Sequence, residues 1–191
     1  MGSNPTPSAP TVTGSVRPVS QLEEPVSQLE ELARRVARLE AVGEIEKLKY
    51  RYLRACDGKD PDAMRACFVR DGAEIDYGPL GKFTGRDDLV GLYTRLALRR
   101  EEGTWMYHDI HHGHHPDIEV LDDSRATGRW TLGFMRVNLE ADVLEQASIE
   151  YLDTYVVEDG TWKIKSSVVT PLTSFSLPLP GAKRVAPGAP G

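Results

Sequence analysis

Residues 105–120 read Trp105-Met-Tyr-His-Asp-Ile-His-His-Gly-His-His-Pro-Asp-Ile-Glu-Val120, and here the hydropathy pattern of the chain changes. Upstream, apolar residues recur at steps of three and four. From Tyr107 onward the period is two, over 107–120, 124–138, 145–157 and 161–170, which predicts four long strands. Asp159-Gly160 supplies a tight hairpin between the last two. The same stretch holds all five histidines of the chain: His108, His111, His112, His114 and His115. Histidine is the one side chain with an unperturbed pKa near neutrality, roughly 6.5, so a cluster this dense is a candidate for acid/base chemistry or for metal binding.

Upstream of this stretch, Val26, Leu29, Leu32, Val36, Leu39, Val42, Ile45, Leu48 and Tyr52 form one stripe on a long amphipathic helix. It begins near Ser20 or Pro25, within a doubled Val-Ser-Gln-Leu-Glu-Glu, and ends at the turn cluster Asp57-Gly58-Lys59-Asp60-Pro61. One small core cannot cover so long a stripe. Its early part, Val26 to Leu39, is therefore expected to meet a second subunit in a homodimer or homotrimer. A short helix over about 61–68, a strand over 72–77, the turn Gly78-Pro79 and a third helix opened by Gly85-Arg86-Asp87-Asp88 complete the first half. Helices followed by a meander of strands define an α+β class: a curved, mostly antiparallel sheet wrapped around three helices, with a pocket between them. The expected organisation is a disordered tail over 1–18, one domain over 19–175 with a helical arm at 19–40, and a flexible tail over 176–191.

The 191 residues, 40% of them hydrophobic, suffice for one core. A net charge of −6 argues against nucleic acid as a partner, and Arg99-Arg100 is offset by Glu101-Glu102. No apolar run approaches the length of a membrane span, and the N-terminus lacks the features of a signal peptide. Cys56 and Cys67 fit no zinc or redox spacing and read as reduced thiols, which suits a cytoplasmic protein. Neither a Gly-x-Gly-x-x-Gly nor a P-loop is present, so no organic cofactor is expected.

The phrases Glu44-Ile-Glu-Lys-Leu-Lys-Tyr-Arg-Tyr-Leu-Arg-Ala-Cys-Asp-Gly-Lys59, His111-His-Gly-His-His-Pro-Asp-Ile-Glu119 and Ala126-Thr-Gly-Arg-Trp130 resemble the SnoaL-like branch of the NTF2-like superfamily. Within it they are most similar to bacterial bile-acid 7α-dehydratases and, more distantly, to scytalone dehydratase. The resemblance covers about residues 26–175 and implies a cone-shaped fold. By position it places a catalytic tyrosine on Tyr52, an aspartate on Asp57 and a histidine on His111. That trio suits an elimination: a carboxylate-oriented histidine removes a proton, and a phenol donates to the departing oxygen. Two positions depart from the dehydratases, which have an acidic residue where this chain has Phe134 and an arginine where it has Pro171. Both lie where substrate would be handled.

Each assignment has a plainer rival. Tyr52 continues the apolar stripe and reads equally as a core tyrosine, Asp57 as a helix-end turn residue, and His111 as a strand histidine satisfied by a neighbouring backbone group. Asp76, Tyr77, Tyr107, Trp130, Phe134 and Tyr151 are expected in the pocket wall. His115, which shares strand parity with His111, is expected at its rim. His112 and His114 fall on the opposite face. They could chelate a metal, but a robust site needs further ligands, so no metal is expected.

The expected function is a dehydratase-like lyase acting on a hydrophobic, ring-containing small molecule. The alternatives are an isomerase or cyclase, an aldol-type lyase releasing formaldehyde from aromatic compounds, and a non-catalytic binding or assembly module.

Overall fold

The computed structural model describes Met1 and residues 20–181, the side chains of 20–25 excepted. Residues 2–18 of the tail expected over 1–18, and the last ten residues of the one expected over 176–191, lie outside the described residues. The chain divides into two compact units, Met1–Val36 and Ala37–Gly191. In the first, the described chain is helical from Ser20, and Val26, Leu29, Leu32 and Val36 are all exposed on that helix.

The second unit opens with the remainder of the same helix, α1 (Ser20–Asp57), whose stripe becomes core here: Ile45, Leu48, Tyr52 and Leu53 are buried. Helix α2 (Pro61–Ala66) starts on a proline behind Asp60, whose side chain accepts the Ala63 N–H at 2.9 Å, a regular N-cap. Strand β1 (Glu74–Asp76), a 3-10 turn (Gly78–Leu80), β2 (Lys82–Phe83) and α3 (Arg86–Ala97) follow. The short β3 (Arg100–Glu101) and β4 (Thr104–Trp105) pair only with each other. Then come the four long strands: β5 (Tyr107–Asp122), β6 (Arg125–Asn138), β7 (Val143–Glu158) and β8 (Thr161–Pro178). The main sheet has the order β2-β1-β8-β7-β6-β5 and is antiparallel except where β1 runs parallel to β8. The α+β class and the curved, mostly antiparallel sheet read from the sequence are what the chain forms.

Three features of the sheet differ from a plain alternating pattern. First, β8 continues to Pro178, past the expected end at 170. Its register shifts beside Pro171, and the bulge accommodates a residue that has no N–H to give the ladder. Second, β5 carries a bulge between His114 and Asp117, where His115 adopts φ +50° and Pro116 follows. Third, β5 passes so close to α1 that a Cβ added at Gly113 would lie 2.7 Å from Leu53 Cδ1. A larger residue in the His-His-Gly-His phrase would have to move the Leu53 side chain.

Candidate active site

The last residue of α1 is Asp57, whose carboxylate sits at the negative end of the helix dipole. Donors from one residue of β5 compensate. His111 directs its backbone N–H at the Asp57 carboxylate (3.1 Å to Oδ1, 3.3 Å to Oδ2), and its ring Nδ1 lies 2.6 Å from Oδ1. A carboxylate can only accept, so Nδ1 carries a proton, and in the neutral ring Nε2 is the nitrogen with the lone pair. The ring is further fixed against Phe134, its cross-strand neighbour on β6, with centroids 5.0 Å apart.

His111 lines a cavity of about 210 Å³ bordered by the end of α1, by α2, α3 and the sheet. Leu89, Leu92, Leu96, Leu132 and Ile149 make most of it apolar. The same cavity is lined by a group of phenols. Tyr52 and Tyr77 share a hydrogen bond of 2.5 Å between their hydroxyls, and Tyr151 packs edge-on to Tyr77 with centroids 6.2 Å apart. Burial, reinforced by neighbouring Cys56 and the other phenols, pushes the Tyr52 hydroxyl well above the ordinary phenol range. Burial does the same at Tyr77 and Tyr151. All three are therefore neutral donors, not bases, at any physiological pH. Cys56 also lines the cavity, and burial pushes its thiol up to about 12, which leaves it protonated and unreactive.

Of the residues singled out in the sequence, Tyr52, Tyr77, His111, Phe134 and Tyr151 line this one cavity, and Asp57 stands directly behind His111. Four expected wall residues do not. Asp76 pairs with Lys82 on the adjoining strand at 2.7 Å and caps the Gly78 N–H. Tyr107 turns outward and donates to Glu140 at 2.6 Å. Trp130 is buried in the core, donating to the Tyr155 hydroxyl at 2.9 Å. His115 is exposed because the bulge at 115–116 breaks the alternation that would have returned it to the His111 face. The rings of His112 and His114, on the exposed face, lie 6.1 Å apart.

Charged groups that the sequence reading passed over complete the site. Asp109, two residues before His111 on the same strand face, is buried and accepts from Lys59 Nζ (2.9 Å) and Arg136 Nε (2.7 Å). Burial alone would raise its pKa, but the guanidinium and the ammonium outweigh that and hold the carboxyl below the usual range. Beneath the phenols, Lys49 forms a fully buried pair with Asp153 at 2.7 Å, its ammonium 3.6 Å from the centre of the Tyr151 ring. Signals for both existed. Lys49 falls on the apolar stripe of α1, four residues after Ile45, and Asp109 shares strand parity with His111.

Residues 37–168 match the SnoaL-like domain family, and the chain belongs to it. Among solved structures, a scytalone dehydratase candidate from Novosphingobium aromaticivorans DSM 12444 is similar at a TM-score of 0.66 with 22% identity, covering 80% of this chain and 98% of that one. The hexachlorocyclohexane dehydrochlorinase LinA-type3 from Novosphingobium barchaimii LL02 is similar at 0.65 with 20% identity, over 80% and 99%. ActVI-ORFA from Streptomyces coelicolor is similar at 0.56 with 19% identity, over 68% and 96%. At these identities the likeness establishes the NTF2-like cone. Among the described residues no helix is long and apolar enough to cross a membrane.

Proposed function

We propose that this chain is a cofactor-independent lyase that eliminates water, or a comparable small leaving group, from a hydrophobic ring-containing molecule. One observation carries the reading: His111, held by Asp57 at 2.6 Å, lines the same apolar cavity as Tyr52. Asp57 fixes the Nδ1–H tautomer, so Nε2 abstracts a proton from a carbon made acidic by a neighbouring carbonyl or ring. The C–H electron pair becomes the new double bond as the C–O bond breaks. Tyr52, backed by Tyr77, hydrogen-bonds to the departing oxygen, and the imidazolium then delivers the abstracted proton to it, so that water leaves and His111 is neutral again. The apolar wall raises the worth of each of these polar contacts by excluding water.

The cavity, about 210 Å³, falls below the roughly 300 Å³ at which typical ligand pockets begin, which favours substrates of one or two rings over a steroid. Two structurally similar proteins bear the names of elimination enzymes, which supports the reaction class. The chain works as a homodimer or homotrimer, with the Val26–Leu39 stripe at the contact.

The test is to incubate the protein with β-hydroxylated cyclic ketones and hydroxylated aryl compounds and to follow loss of water by mass spectrometry. His111→Ala should lower turnover of any active compound by about two to four orders of magnitude. His112→Ala and His114→Ala should stay near wild type. Release of formaldehyde in place of water would move the reaction to the aldol class. Equal rates in wild type and His111→Ala would refute the reading.

A further inference from the structure

One end of the cavity wall carries a guanidinium that the elimination chemistry does not use. Arg136, on β6, stands directly across the strand pair from Asp109 and lines the cavity with it. Its Nε donates to Asp109 Oδ1 at 2.7 Å. Its outer nitrogens are poorly served: Nη2 reaches Asp109 Oδ2 only at 3.4 Å, and Nη1 lies 4.0 Å from Glu145 Oε2. Among the described residues, the guanidinium edge thus meets no acceptor at an ordinary charge-assisted distance of about 2.7–2.9 Å. Asp109 is shared with a second cation, Lys59 at 2.9 Å, so one buried carboxylate serves two positive groups. The guanidinium is also held in place, with the Tyr107 and Phe134 rings 5.2 and 5.3 Å from its central carbon.

We infer that Arg136 is a specificity-determining residue that binds an anionic oxygen of the substrate, so that the compound taken up is a ring-containing acid, with a carboxylate as its anchor. A forked guanidinium edge matches a carboxylate in two parallel hydrogen bonds, which a neutral hydroxyl or amide cannot reproduce. The spacing fits a small substrate. Asp109 and His111 are two residues apart on one strand face, roughly 7 Å, so the anchoring group sits about one ring away from the carbon presented to His111. This inference rests on the cavity being the substrate site proposed above and adds the charge of the ligand to it.

The experiment measures binding, not turnover, with two acid/amide pairs as probes: benzoate with benzamide, and 2-naphthoate with 2-naphthamide. Each is titrated into the full-length protein by calorimetry at neutral pH. Wild type should bind each acid more tightly than its amide by on the order of tenfold to a hundredfold. Arg136→Gln should abolish that preference while leaving the amide affinity in place, so the amide doubles as a check that the cavity is intact. Arg136→Lys, which keeps the charge but not the fork, should retain only part of the preference. Should Arg136→Gln fail to fold, the acid/amide ratio in wild type and in Arg136→Lys decides the matter. Wild type binding the acids no better than the amides, or binding neither, overturns the inference, as does an undiminished preference in folded Arg136→Gln. His111→Ala keeps the preference. Failure of the acid/base mechanism therefore appears in turnover alone, and failure of the anion site in the binding ratio alone.

Discussion

Asp57 and Asp109 are two carboxylates with separate tasks. Asp57, partly open to solvent, holds a histidine; Asp109, nearly sealed, holds two cations. Removing the charge at Asp109 leaves Lys59 and Arg136 without their shared partner, so Asp109→Asn should destabilise the fold by about 3 kcal/mol at neutral pH. The folded pKa of Asp109 is depressed, so its stabilising effect is complete above the unfolded value, near 3.9. That effect is lost as the pH falls through the lower, folded value. Urea melts of wild type and variant should therefore converge in acid and differ most near neutrality; a gap independent of pH contradicts the assignment. Single buried charges were the hardest residues to read from the sequence. His111, Asp57 and Tyr52 could be proposed together because chemistry and spacing agreed with a family pattern. Arg136 and Lys59 could not, because a lone cation in a strand or turn looks solvated until the buried acid across from it is known.

Among the elements, β5 positions most of the site, presenting Asp109 and His111 to the cavity and Gly113 to α1. A side chain at 113 must displace Leu53, so Gly113→Val should cost about 1–3 kcal/mol by thermal unfolding, with Gly113→Ala less. Wild-type stability in the valine variant would show that the strand–helix approach is loose. All three helices and the four long strands were legible, because period and turn residues agreed over long stretches. The alternation failed at the two prolines. Each sits beside a bulge, and a bulge inserts residues that periodicity cannot count, which is why His115 leaves the cavity and β8 outruns its expected end. The two-residue β3 and β4, joined at Glu102-Gly103 with positive φ at both, were too short to generate any period.

For the whole molecule, the apolar stripe of the first unit bears on assembly. Val26, Leu29, Leu32 and Val36 are exposed at helical spacing, as a seam awaiting a partner would be. Light scattering should give a dimer or trimer, and Leu29→Glu with Val36→Glu should shift it toward monomer without loss of the second unit's helix and sheet signals. A wild-type monomer at micromolar concentration contradicts this assembly.

In the function we propose, Asp57 acts through His111 as one catalytic unit. The most direct test is a double-mutant cycle on kcat with any compound the protein turns over. Asp57→Asn and His111→Ala should each lower kcat, and the combined variant should be no slower than His111→Ala alone, since an orienting carboxylate has nothing left to orient. Losses that multiply in the double variant, or an Asp57→Asn enzyme as fast as wild type, would contradict the account.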